Sequence, residues 1–142
     1  MTMYFVNSEN KGASYIVSNL GWYRIYNLAQ MYGWSPLGTE YEEEDWDKKE
    51  YFLNFGQLVT AEDASGLGIA IQAAIPDLKD AEPEDESEAQ SLPLWEFEML
   101  ARAAYAKVTG MKNPAWLFLD STWSTKLVEL AGFCQRGSFR IY

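Results

Sequence analysis

The chain has 142 residues, 48% hydrophobic and 15% aromatic, which suits one domain able to bury about 70% of its unfolded surface and excludes a wholly disordered chain. Its formal net charge of −10 sets it against nucleic-acid phosphates and anionic lipid and draws it towards basic surfaces. With no histidine and only Cys134, imidazole acid–base chemistry, His-ligated metals and an internal disulfide are all ruled out.

The first residues lack a basic start followed by an apolar run, and no segment approaches about 18 uninterrupted apolar residues. Neither an export signal nor a membrane span is therefore expected, and a reducing cytoplasm suits the lone thiol. Met3–Asn7, MYFVN, is short, aromatic and β-branched and predicts a strand. The pattern of NLGWYRIYNLAQMYG predicts a helix over Leu20–Tyr32, with Asn19 as N-cap, Gly33 as stop and a narrow polar stripe at Gly21, Arg24, Asn27 and Gln30. Pro36 and Gly38 then turn the chain into an acidic block.

Beyond that block, Tyr51–Leu53 and Leu58–Val59 flank NFGQ, which predicts a small hairpin with Gly56 at positive φ. Thr60 caps a helix, with Asp63 three residues on in the capping-box position. Ala64, Leu67, Gly68, Ile71 and Ile75 share one face of it, and Pro76 is expected to end it. Gly66 and Gly68 each cost about 1 kcal/mol relative to alanine inside a helix, so another backbone is expected to approach there. Residues 79–91 hold almost no large apolar side chain and read as an exposed acidic linker within the single domain, 1–142.

SLPLWEFEMLARAAYAKVTG predicts a third helix, and STWSTKLVELAGFCQRG a fourth, with Ser121 or Thr122 as cap, Trp123, Leu127, Leu130, Ala131 and Cys134 buried, and Gly137 as stop. In SFRIY, Phe139 and Ile141 alternate with Arg140 as in a terminal strand. The fold class expected is α+β but mainly helical: about four helices around one core, with a small hairpin and terminal strands.

Motifs exclude more than they establish. GLGIAI from Gly66 imitates half of a dinucleotide fingerprint but lies inside an amphipathic helix, where packing explains it better. No phosphate loop, nucleophile elbow or calcium loop is present, so no cofactor, metal or catalytic residue is assigned. Glu62, Asp63, Glu96, Glu98, Asp120 and Glu129 fit helix caps and solvated helix faces, and Cys134 fits an apolar stripe.

The charge is concentrated. Glu40, Glu42, Glu43, Glu44, Asp45, Asp47 and Glu50 stand against Lys48 and Lys49 alone, and a second group runs from Asp77 to Glu88. In the first block Tyr41, Trp46, Tyr51 and Phe52 are interleaved with the acids. The plain reading is a solvated loop that keeps the domain soluble. The functional reading is a binder of a basic protein, with rings for desolvated contact and carboxylates for capture. Tyr41, Glu42, Glu43, Glu44, Asp45, Trp46 and Asp47 are the partner-binding candidates.

NFGQLVTAEDASGLGIAIQAAI, followed far downstream by FCQRGSFRIY, resembles a pattern in small bacterial proteins without an assigned activity. There an Asn-x-Gly-Gln turn precedes a capped helix beginning near Asp-Ala, and the chain ends with Phe-Cys, a glycine and an aromatic strand. The matching positions are Asn54, Gly56, Gln57, Val59, Asp63, Ala64, Phe133, Cys134, Gly137 and Phe139, while Phe55 departs from the acidic residue of that pattern. The resemblance implies a bacterial origin and a fold, and carries over no catalytic residue.

Two function classes follow. One is a noncatalytic partner of a basic protein, of the immunity or antidote kind or a regulatory adaptor. The other is a small enzyme using buried carboxylates on a small substrate. A homo-oligomer of unassigned role is a third reading, with Trp22, Trp34, Trp95 and Trp116 as interface candidates.

Overall fold

In the computed structural model, which describes residues 2–79, 119 and 121–142, the organising element is a five-stranded antiparallel sheet. Its strands are β1 (Thr2–Asn7), β2 (Ser14–Ser18), β3 (Thr39–Glu40), β4 (Gln57–Val59) and β5 (Phe139–Ile141), in the order β2-β1-β5-β4-β3. Three α-helices accompany it among the described residues: α1 (Asn19–Met31), α2 (Ala61–Lys79) and α3 (Ser124–Gln135), the last entered through a 3-10 turn at Ser121–Trp123.

This corrects the mainly helical expectation of four helices around one core. The fold is α+β, but the expected terminal strand β5 is the centre of the sheet, paired with β1 on one side and β4 on the other. The expected hairpin also fails. Residues 51–53 form no strand, and β4 pairs instead with β3 and β5. Short strands signal weakly alone, because their stability comes from partners distant in sequence. β2 was missed although Tyr15, Ile16 and Val17 are strand-favouring residues. The expected helix in residues 91–110 and the acidic linker at 79–91 lie outside the described residues, apart from the last residue of α2.

Alternation sets the two faces of the sheet. Met3, Phe5, Val17, Val59, Phe139 and Ile141 are buried on the helix-covered side, while Tyr4, Ile16 and Tyr142 stand exposed on the other. Phe5 is the hub: its ring meets Trp22 of α1 edge-on at 4.9 Å and Phe139 at 5.0 Å, and Phe139 meets Phe133 of α3 at 5.3 Å. Such contacts contribute about 0.5–1.5 kcal/mol each beyond the area they bury.

The cap of α1 is Ser18 rather than Asn19, its side chain accepting from the Gly21 N–H at 3.0 Å. Gly21 is not on an exposed polar stripe; it is buried, and a Cβ there would lie 2.8 Å from the Trp123 ring. Gly33 ends the helix at φ +99, with Gly33 N–H donating to Gln30 and Trp34 N–H to Ala29, the Schellman pattern of bonds. Thr60 caps α2 as expected, accepting from the Asp63 N–H at 3.3 Å, and the whole predicted face from Ala64 to Ile75 is buried. Pro76 does not end α2, which runs on to Lys79. Neither Ser121 nor Thr122 caps α3: Trp123 occupies that position without a side-chain bond, and it is half-buried.

The glycine expectation holds at Gly68. A Cβ there would stand 3.1 Å from Cys134 Cβ and 3.4 Å from the Ala131 carbonyl, so the approaching backbone is α3 of the same chain. Cys134 is buried at that crossing, and burial, with a smaller contribution from the Asp63 charge, pushes its thiol up to about 12. The unfolded chain would ionise this thiol near 9, so between pH 9 and 12 it binds fewer protons than the folded chain. Stability from this group is therefore intact below pH 9 and declines as pH rises, by roughly 1 kcal/mol per unit just above it. Urea melts of wild type and Cys134→Ala are expected to diverge in slope over that range. Alkylation of the folded protein at about pH 8 should be far slower than of the denatured chain, and equal rates would refute the burial argument.

Candidate functional site

The first acidic block forms a closed loop on β3. Thr39 ties its ends: its N–H donates to the Lys48 carbonyl at 2.8 Å and its hydroxyl to the Glu50 carbonyl at 2.9 Å. The indole N–H of Trp46 donates back to Thr39 Oγ1 at 3.1 Å, and Trp46 N–H donates to the Glu43 carbonyl at 3.2 Å. Gly38, at φ +118, lets the chain pass within contact of Lys48; a Cβ there would lie 3.0 Å from the lysine stem. The loop is thus held by its own backbone, as compact surface loops are.

Trp46 is half-buried rather than sunk in the interior. Its ring packs on Tyr41 at 4.9 Å and on Phe55 at 6.3 Å, and these two neighbours are 37% and 54% exposed. Glu42, Glu43, Glu44, Asp45 and Asp47 are all exposed. The candidate residues from Tyr41 to Asp47 thus lie on this one loop, exposed except for the half-buried Trp46. Two of the interleaved aromatics are not: Tyr51 is buried, and Phe52 packs on Tyr23 at 5.3 Å and Tyr26 at 4.9 Å. Phe55 takes their place. The signal for it in the sequence is a phenylalanine set in the polar turn NFGQ.

Gln57, fully buried, supports Phe55 from beneath. Its side-chain oxygen accepts from the Phe55 N–H at 3.0 Å, while its amide nitrogen donates to the Glu50 carbonyl at 3.3 Å and to Leu53. Gly56, at φ +85, donates its N–H to Ile141 at 2.7 Å, and Tyr142 covers it.

A second constellation centres on Asp63, the only buried carboxylate among the described residues at 1% exposed. Oδ1 accepts from Trp34 Nε1 at 3.1 Å and from the Leu37 N–H at 3.0 Å, and Oδ2 accepts from the Tyr51 hydroxyl at 2.5 Å. Tyr51 in turn accepts from the Gly38 N–H at 2.8 Å. Burial first, and then the bond to Asp63 and its charge, push the Tyr51 phenol far above the ordinary range; the Gly38 N–H works the other way. The capping box is thus only half formed, since the carboxylate turns inward to the loop before β3.

An open groove of about 390 Å³ lies beside this cluster, between Trp34 and Leu37 on one wall and Glu62, Gly66 and Ile69 on the other. Asp63 is among its lining residues, and both of its oxygens already accept from donors of the chain. Among the described residues no group of three or more carboxylates or thiols is placed to hold a metal ion, and no helix is long and apolar enough to cross a membrane. Trp22 and Trp34, the two described tryptophans among the interface candidates, are buried core residues; Trp95 and Trp116 lie outside the described residues. No family model, curated protein or solved structure matches the chain.

Proposed function

We propose that this protein is a noncatalytic acidic interaction protein that binds a basic partner protein through the Tyr41–Trp46–Phe55 surface, as an immunity or antidote protein would. One observation carries the reading: Trp46 is tethered to Thr39 through its N–H while its neighbouring rings and five carboxylates face solvent. A ring held in place loses little freedom on binding, which is how preorganised anchors gain affinity. The surrounding charge supplies capture, raising association rates towards about 10⁸ M⁻¹s⁻¹ at low salt.

Lysine- and arginine-rich peptides carrying one aliphatic or aromatic anchor, titrated calorimetrically, test this. Affinity is expected to fall at least tenfold between about 50 and 300 mM salt, because exposed charges are screened over about 8–10 Å. Trp46→Ala is expected to weaken binding by about 2 kcal/mol, as anchor truncations do, and Glu43→Lys to slow association chiefly. Trp46→Phe keeps a ring but loses the bond to Thr39, and separates anchoring from loop closure. Binding indifferent to salt, or unchanged in folded Trp46→Ala, would overturn the reading.

A further inference from the structure

The two edges of the sheet are finished differently. β3 is two residues long, and its outward Thr39 N–H is taken up by Lys48 of the acidic loop. β2, at the opposite edge, is five residues, SYIVS, without proline or charge, the devices that usually protect an edge. Tyr4 exchanges both backbone bonds with Tyr142, each at 2.8 Å, so Met3 and Phe5 direct theirs to β2 at Val17 and Tyr15. By the same alternation the N–H and C=O of Ile16 point out of the sheet. Among the described residues neither group finds a backbone partner, and the Ile16 side chain is 61% exposed.

Beside this edge runs a groove of about 370 Å³ between β2 and α3, lined by Ser14, Tyr15, Val128, Glu129, Gly132 and Arg136 among others. Gly132 lies in the interior of α3, and a Cβ there would meet nothing within 4 Å. No packing among the described residues therefore requires glycine at a position where it costs about 1 kcal/mol relative to alanine. Val128, 53% exposed, adjoins it. Glu129 and Arg136, both exposed, flank it on the same face.

We propose that β2 is the dimerisation edge, pairing antiparallel with β2 of a second copy about a two-fold axis at Ile16 while the two α3 helices meet at Gly132. The occupant is a second copy because the surface complements itself. Across that axis Ile16 faces Ile16, Ser14 faces Ser18, and Glu129 of each α3 faces Arg136 of the other, as an isologous interface requires. Pairing would form about four new backbone hydrogen bonds and set the two Ile16 side chains side by side on the open face. The missing side chain at Gly132 permits close approach of the helices. The acidic loops on β3 do not oppose this, because they sit at the far edges. In a sheet of twice the width they are roughly 40 Å apart at about 4.8 Å per strand, several Debye lengths at physiological salt.

Sedimentation equilibrium of the full chain tests the proposal, with circular dichroism as the check on folding. The wild type is expected at twice the 16.2 kDa chain mass at about 100 µM. Ile16→Pro removes only the outward N–H, a substitution edge strands tolerate, and is expected to leave a folded monomer. Glu129→Arg places like charges together twice and should weaken dimerisation at least about tenfold, whereas Glu129→Arg with Arg136→Glu should restore it to within about threefold. A wild type that remains monomeric, or a dimer untouched by both Ile16→Pro and Glu129→Arg, would overturn it.

Discussion

Replacing Asp63 by alanine is expected to lower the unfolding free energy by about 4 kcal/mol. The reason lies in what remains behind. Trp34 Nε1, the Leu37 N–H and the Tyr51 hydroxyl all donate to this carboxylate, and removing it strands three donors at once. Each stranded group costs about 1–3 kcal/mol. Asp63→Asn keeps one acceptor oxygen but turns an amide donor towards Tyr51, whose oxygen already accepts from Gly38, and should cost about half as much. Tyr51→Phe made in the alanine background should add less than it does in wild type, because its donor has already lost its partner. Urea unfolding would show a lower midpoint at unchanged m-value. A loss below about 1 kcal/mol would mean that the site readily rehydrates and that the hub is not structural.

Gly68→Val is expected to destabilise by about 2–3 kcal/mol, through overpacking rather than a lost bond. Even a first carbon at this position stands 3.1 Å from Cys134 Cβ and 3.4 Å from the Ala131 carbonyl, and the second contact is backbone that cannot rotate away. The branched side chain would force α2 from α3 and loosen the contact that buries Leu67, Ile71, Leu127 and Leu130. Gly68→Ala is the instructive comparison. It gains up to about 1 kcal/mol of helix propensity against a contact needing only a few tenths of an ångström of give, so it should be near neutral. Thermal melts separate the two, and a valine variant as stable as wild type would show the crossing to be loosely packed.

The two constellations divide the work. The Asp63 hub fixes the segment between α1 and β3 against the start of α2, and that segment is the stalk of the acidic loop. Gln57 fixes the other side by bonding the chain from Glu50 to Phe55. Other residues hold fold-determining places as well: Gly56 and Gly137 at positive φ, Gln57 and Asp63 as buried polar staples, Val59, Ala64, Phe133, Cys134 and Phe139 in the core.

Local chemistry was enough to read α1, α2, α3, β1 and β5 from the sequence, because helix faces, capping residues, stop glycines and strand alternation act over a few residues. It was also enough to exclude imidazole and disulfide chemistry and to locate the negative charge. The tertiary structure alone decided that β5 is central, that β3 rather than residues 51–53 pairs with β4, and that Tyr51 belongs to the core while Phe55 joins the surface. It alone turned Asp63 from a cap partner into a hub and put β2 at the edge of the sheet. Strand order and buried polar contacts join residues tens of positions apart, and their energy exists only once the chain has closed those loops, so no window of sequence contains it.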